Sequence, residues 1–304
     1  MDRLLEEKIR NLMKEGAAIK DAPMKEYTSF KAGGSADLLL IPGSVDELEA
    51  VVGALAAEGE DFLVMGNGSN FLVKDGGYRG TIIRISDCCG DIRGEGPLFT
   101  AGAAVSLSAF AKYALEKGYE GFEFASGIPG SIGGGAFMNA GAYGGELKDV
   151  ISCVRVIRRD GSGRAELSVK EMDYGYRHSV LYDTLDIVTE VDIELRRGRR
   201  DEIAARMKDL NGRRNAKQPI NYPSAGSFFK RPPGYYAGKL IQDSGLKGLT
   251  VGGAQVSELH AGFIINKGGA TASDIVELMH LVQARVSDRF GVQLEPEVRI
   301  IGED

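Results

Sequence analysis

Three polar side chains in this 304-residue chain stand out by type and setting. Arg177 lies in the Tyr/Gly-rich stretch Tyr174-Gly175-Tyr176-Arg177-His178-Ser179, between two strand-like runs. A guanidinium in such a turn could grip a carboxylate through a bidentate fork. Ser227 lies in a small-residue turn, Ser224-Ala225-Gly226-Ser227, followed by Phe228 and Phe229. Glu297 falls near the end of the chain, where alternation along an expected strand over 292–301 puts Glu295, Glu297 and Arg299 on one face. With an Arg and a Glu but no candidate His or Cys, a hydroxyl could deliver a proton. Each residue also has a plainer reading: a surface Arg, a turn Ser bonding its own backbone, and an exposed edge of a terminal strand. Spacing alone does not bring 177, 227 and 297 together.

What must position them is a glycine-rich main chain. The run from Gly127 to Gly145, GIPGSIGGGAFMNAGAYGG, is expected to be a loop, since Gly costs backbone entropy in helix and strand alike. Without a Cβ, several N–H groups can converge on one anion, and a diphosphate is the usual guest. The alternative is a solvated linker, but Ile128, Ile132, Phe137 and Met138 are too apolar for one. A second stretch, Gly66-Asn67-Gly68-Ser69-Asn70, reads as the turn in strand–turn–strand between Phe62–Met65 and Phe71–Val73. It is not the dinucleotide fingerprint, because Phe71 replaces the third Gly and no helix follows. Alone it fits a hairpin turn. Two such cradles together suit a long ligand with a diphosphate in its middle.

The remaining elements follow from periodicity and caps. An amphipathic helix is expected over 3–14, with Leu4, Leu5, Ile9, Leu12 and Met13 on one face. Residues 25–42 read as extended. Ser44 to Glu47 reads as a capping box opening a helix through Ala57. A run at 81–85 and another at 98–105 read as strands, and Ser106 is expected to cap a helix that Gly118 stops. Strands are expected at 151–158, 187–195 and 261–266, and helices at 201–214 and, capped by Ser273, up to Gly291. The basic run Arg196 to Arg200 marks a composition shift, read as a solvated boundary.

Bulk numbers narrow the class. The chain is 43% hydrophobic and 26% charged, that of an ordinary globular protein of about two domains. Gly is 42 of 304 residues, about twice its usual share. A net charge of −6 argues against a nucleic-acid partner. No apolar run reaches ~18 residues, and Met1 to Glu15 has no secretory apolar core, so no membrane span or leader is expected. Cys88, Cys89 and Cys153 form no disulfide framework, and His178, His260 and His280 lack metal-ligand spacing. A reduced, cytoplasmic, metal-free protein is expected.

Six blocks, in this order, resemble the UDP-N-acetylenolpyruvoylglucosamine reductases, the MurB family. They are GNGSN at 66–70, GIPGSIGG at 127–134, NAGAYG at 139–144, YGYRHS at 174–179, AGSFFKRP at 225–232 and LEPEVRIIG at 294–302. The resemblance implies an α+β fold. Two FAD-binding subdomains of the vanillyl-alcohol-oxidase type, at 1–86 and 87–198, would precede a substrate-binding domain at 199–304. It implies FAD held non-covalently, NADPH as co-substrate, and UDP-N-acetylglucosamine enolpyruvate as substrate, with no obligate protein partner. Hydride reaches C3 of the enol ether and a proton reaches C2. By motif, Arg177 grips the substrate carboxylate, Glu297 helps hold or polarise it, and Ser227 gives the proton. FAD contacts are expected from Gly66, Asn67, Gly68, Ser69 and Asn70, and from Gly127, Ile128, Pro129, Gly130, Ser131, Gly133 and Gly134. Asn139, Gly141, Ala142 and, at a phosphate, Arg214 complete that set. Tyr176, Lys217, Lys230 and Arg231 are expected on the substrate, Lys217 at its diphosphate. The chain lacks the inserted Tyr-bearing segment of longer members and looks like the compact branch.

Overall fold

The computed structural model describes residues 3–304, apart from the side chain of Asp87. Met1 and Asp2, which the first expected subdomain includes, lie outside the described residues. The chain forms two compact units. The first comprises 1–19, 38–67 and 80–212, and the second 20–37, 68–79 and 213–304.

The first unit is built on a five-stranded antiparallel sheet. Its order is Arg164–Ser168, Ile151–Ile157, Ile187–Glu194, Leu98–Gly102, Ile92–Arg93. The sequence patterns at 98, 151 and 187 find these strands. Arg164–Ser168 escapes them because it is a short polar edge strand. A parallel pair, Phe62–Met65 against Tyr78–Arg84, joins Leu63 to Ile82 and Val64 to Ile83. So the strands around the GNGSN turn are not hairpin partners: Phe71–Val73 pairs instead, parallel, with Arg299–Ile301 in the second unit. Apolar side chains from the sheet and from helices Val45–Ala57 and Leu107–Lys117 make one buried core.

Local signals at the helix ends are mostly obeyed. Ser106 Oγ accepts from Ala109 N, and Gly118 closes the helix in the left-handed region at φ 76°. Ser44 Oγ accepts from Glu47 N, but Glu47 returns its carboxylate to Gly43 N rather than to Ser44, so the expected box is shifted by one residue. The first helix, Arg3–Leu12, buries Leu5 and Ile9 while Leu4 is 74% exposed, so the apolar stripe is narrower than its spacing suggests. Residues 24–26 form a short 3-10 turn and only Ser35–Leu40 is strand, so 25–42 is not continuously extended.

The second unit holds a separate core around Phe30, Phe228, Leu240, Ile275, Leu278 and Val282. A three-stranded sheet, Thr250–Val251, Ala254–Val256, Ile264–Asn266, packs with helix Ala272–Phe290. That helix is capped by Thr271, not Ser273, with Asp274 completing a reciprocal box. Ser273 is already inside the first turn, where its N–H and hydroxyl donate to Asp75, as does Ala272 N at 2.9 Å. The expected long final strand is only Arg299–Ile301. Burial pushes the Asp75 carboxyl up, but the bonds from Ser273 and Ala272 outweigh it and hold it below the ordinary value.

A carboxylate whose folded pKa is depressed stabilises above its unfolded pKa and stops doing so as pH falls through the folded one. Asp75→Ala is therefore expected to cost about 1 kcal/mol at neutral pH, read as a lower denaturant midpoint. The difference from wild type is expected to shrink below about pH 4. A gap that persists undiminished in acid would show that the charge of Asp75 is not what caps the helix.

Candidate active site

The glycine-rich stretch in the first unit is not all loop. Ile132–Met138 is a short helix, capped by Ser131, whose Oγ accepts from Gly134 N at 3.3 Å. Glycine is tolerated there because bare Cα atoms are needed. A Cβ on Gly133 would lie 2.7 Å from Ala103 Cβ, and one on Gly135 would lie 2.8 Å from Leu147 Cδ1. Packing against the core outweighs the roughly 1 kcal/mol of helix propensity lost per glycine. The helix ends at Asn139, which is left-handed at φ 48°, and a tight hairpin follows, Gly141–Ala142 against Gly145–Glu146.

The two expected cradles meet. A Cβ on Gly66 would lie 2.8 Å from Ser131 Oγ, so the first loop runs against the cap of the second. Along these two loops the main-chain N–H groups of Gly66, Asn67, Gly127, Gly130 and Ser131 have no acceptor among the described residues. Ser131 is also buried. Paired main-chain donors are the rule for buried positions, so a group of free ones at a close backbone approach fits an anionic guest. Other residues in these loops serve the framework. Ile128, Gly133 and Gly134 donate to Ala125 O, Ala103 O and Ser131 Oγ. Pro129 has no N–H to give. Gly68, Ser69 and Asn70 belong to the second unit.

Asn139 is fully buried. Its amide donates to Glu146 Oε2 and Gly175 O, and its oxygen accepts from Lys148 N. It thus ties the short helix to the hairpin and to the turn that carries Arg177. That turn is closed by Gly175 N to His178 O at 3.0 Å, with Tyr176 and Arg177 at its tip. Arg177 is left-handed at φ 54°, a conformation costing a non-glycine residue on the order of 1 kcal/mol. Its guanidinium lies over the Tyr176 ring and donates to Asn139 O and Gly141 O. Tyr176 itself is exposed. Burial raises the Glu146 carboxyl, but Lys148, the Asn139 amide and the Arg177 charge outweigh it and keep the group below its ordinary value. Residue type and spacing do not mark Glu146, Lys148 or Gly175, because each acts through buried Asn139, which only the fold brings against them.

In the second unit the segment after Ser227 lies antiparallel to the segment around Glu297. Glu297 N donates to Phe228 O and Lys230 N to Glu295 O, both at 2.8 Å. Strand alternation therefore does not apply at Glu295 and Glu297, which precede the strand, yet Ser227 and Glu297 come to neighbouring positions. Asn70 pins the same place, its Nδ2 donating to Glu297 O and its carbonyl accepting from Arg299 N. Phe228 and Phe229 are buried while Ser227 is exposed. Lys230 pairs with Glu295, and Arg231 lies 4.0 Å over the Tyr236 ring. Arg214 donates to Gln218, and exposed Lys217 ends helix Arg200–Lys217.

Residues 218–301 match the family model described as UDP-N-acetylenolpyruvoylglucosamine reductase, C-terminal domain, and residues 36–164 match that of an FAD binding domain. A UDP-N-acetylenolpyruvoylglucosamine reductase of Caldanaerobacter subterraneus is 49% identical over 303 residues, covering 100% of both chains. The chain belongs to the UDP-N-acetylenolpyruvoylglucosamine reductase family. A family member from Clostridioides difficile is 47% identical over 284 residues, 93% of each chain. The crystal structure of the reductase from Thermus caldophilus aligns with a TM-score of 0.81 at 35% identity, covering 94% of this chain and 98% of that one. The fold is thus the α+β FAD-binding arrangement followed by the reductase family's own C-terminal domain.

The Gly66–Ser131 approach can be tested through flavin binding. Gly66→Ala drives a methyl into Ser131 Oγ and takes the cap from Gly134. It is expected to weaken flavin retention by about 1 kcal/mol, roughly fivefold, in a fluorescence titration of the deflavinated protein with FAD. Unchanged affinity would show that the Gly66–Ser131 approach does not shape the cradle.

Proposed function

We propose that the protein reduces UDP-N-acetylglucosamine enolpyruvate to UDP-N-acetylmuramate in peptidoglycan precursor synthesis, with FAD as cofactor and NADPH as hydride donor. Full-length identity to named reductases supports the reaction. The observation that carries the cofactor reading is the set of undonated N–H groups where Gly66 meets Ser131. Those from Gly66, Asn67, Gly127, Gly130 and Ser131 hold the FAD diphosphate. Gly68, Ser69, Asn70, Asn139, Gly141, Ala142 and Arg214 complete the non-covalent FAD site, with Ile128, Pro129, Gly133 and Gly134 shaping it. FAD bound there would supply the hydride carrier between NADPH and the substrate.

The protein's own residues handle charge and proton. Hydride adds at C3 of an electron-rich enol ether only if the negative charge developing towards the carboxylate is stabilised. Arg177 does this through a bidentate fork, and its place in a left-handed turn supports that reading. Glu297 holds or polarises the same carboxylate. Ser227 donates a proton to C2. A Ser hydroxyl is a weak acid, so it acts on a strongly basic enolate-like species, as a positioned general acid. Tyr176, Lys217, Lys230 and Arg231 bind substrate, Lys217 at the diphosphate. The FAD-binding subdomains are assigned to 1–86 and 87–198, and the substrate-binding domain to 199–304.

The enzyme acts in the cytoplasm, without nucleic acid, membrane or obligate protein partner, and serves cell-wall biogenesis, cell shape, division and the cell cycle. Among the described residues no helix is long and apolar enough to cross a membrane.

Ser227→Ala is expected to leave reduction of the flavin by NADPH intact and to slow its reoxidation by UDP-N-acetylglucosamine enolpyruvate by about a hundredfold or more. Anaerobic stopped-flow absorbance separates the two halves, and equal losses in both would remove Ser227 from the proton step. Arg177→Lys is expected to damage the same second half, because an ammonium cannot reproduce the fork.

A further inference from the structure

Of the three histidines, His260 is the one set into a slot built for it. It lies in the second unit, in the turn His260–Phe263, closed by Phe263 N to His260 O at 3.0 Å. Two glycines flank its ring. A Cβ on Gly238 would lie 3.2 Å from Cε1, and one on Gly262 would lie 3.0 Å from Cε1 and 3.1 Å from Nδ1. Phe263 stands edge-on at 5.0 Å, and Ser257 Oγ accepts from His260 N. The ring is fixed on all these sides.

Its Nδ1 accepts from Gly262 N at 3.1 Å. The donor is a main-chain N–H, which has one proton and no lone pair in play. Nδ1 must therefore present its own lone pair, and the neutral ring carries its proton on Nε2. The carbonyl of the same residue meets the segment after Ser227: Gly262 O accepts from Phe228 N at 2.8 Å. Phe228 O in turn accepts from Glu297 N at 2.8 Å. One run of hydrogen bonds thus leads from the imidazole through Gly262 and Phe228 to Glu297, and the peptide joining Ser227 to Phe228 lies within it.

We infer that His260 is a positioning residue for the proton-transfer step: its Nδ1 lone pair holds the N–H of Gly262, the residue whose carbonyl accepts from Phe228 N, next to Ser227. The inference rests on the reductase reading above and deepens it, since a hydroxyl gives its proton efficiently only from a main chain that is held, and Phe228 N, the next main-chain group after Ser227, is bonded to Gly262 O. Protonation at Nδ1 turns the acceptor into a second donor facing Gly262 N–H, so the run breaks at its first link. Burial, with the Lys247 charge adding to it, holds His260 below its ordinary value of 6.5 and so keeps the lone pair available at neutral pH. Of the other charged groups nearby, Glu258 on the same turn approaches Gly248, and Lys239 on the Gly238 helix is paired with Asp243 at 2.7 Å.

The test uses the flavin-loaded enzyme, reduced with NADPH and mixed with UDP-N-acetylglucosamine enolpyruvate across a range of pH. His260→Asn puts an amide oxygen near the place of Nδ1. His260→Gln reaches the Nε2 end and leaves the Nδ1 place empty, and His260→Ala removes both. The Ala and Gln variants are expected to reoxidise about tenfold or more slowly at saturating substrate, with flavin reduction by NADPH unchanged. The wild type is expected to slow on the acid side, and the Asn variant to recover most of the rate without that decline. Flavin content and melting temperature of each variant identify any that fail to fold, and the Asn variant then decides. A wild-type rate in His260→Ala, or an Asn variant no faster than Gln, overturns the role of His260. A wild-type enzyme that substrate does not reoxidise at all overturns the reductase reading, and this inference with it.

Discussion

The first unit depends on one steric fact: at Gly66 there is no room for a Cβ against the Ser131 hydroxyl. That hydroxyl caps the short helix Ile132–Met138, and the helix is drawn into the core by further bare Cα atoms at Gly133 and Gly135. Removing side chains lets main chain do what side chains do elsewhere. N–H groups of Gly66 and Ser131 are left without a protein acceptor among the described residues. The entropy lost at each glycine is on the order of 1 kcal/mol. Each free charge-assisted bond to an anion returns about 1.5 to 3 kcal/mol, so a few such bonds offset several glycines.

Arg177 and Ser227 are positioned by different means. Arg177 is aimed by its own backbone. A left-handed residue at the tip of a two-residue turn sends the guanidinium over the carbonyls of Asn139 and Gly141, and buried Asn139 ties that turn to the hairpin. Ser227 is aimed by its neighbours. Phe228 and Phe229 are buried, Phe228 edge-on to Phe30 at 6.1 Å. Burying an aromatic side chain contributes about 1.5 to 3 kcal/mol. Holding one small hydroxyl residue at the surface costs less than that, so the aromatic pair fixes the exposed serine beside Glu297.

Much of the helix grammar was legible in the sequence. Ser106, Gly118 and Gly291 act within a few residues of themselves, and the structure places each as its type demands. The errors share a cause. Thr271 rather than Ser273 caps the last helix because Asp75, far away in the chain, claims Ser273. Residues 132–138 are helical despite three glycines because Ala103, Leu107 and Leu147 need close approach there. Glu295 and Glu297 lie outside the final strand because their backbone groups bond to the segment after Ser227 instead.

By itself the sequence determined the chemistry available: the glycine loops, the arginine in its turn, the serine before two aromatics, and six blocks in an order that specifies a family. These are properties of residue type and order, and they survive without coordinates. Only the tertiary structure decided which groups meet. The Gly66–Ser131 approach, the bond from Asn139 to Gly175 and the bonds from Gly262 through Phe228 to Glu297 join residues distant in sequence. Hydrogen bonds and steric contacts act over a few ångströms of space, and sequence separation carries no record of that distance until the chain has folded.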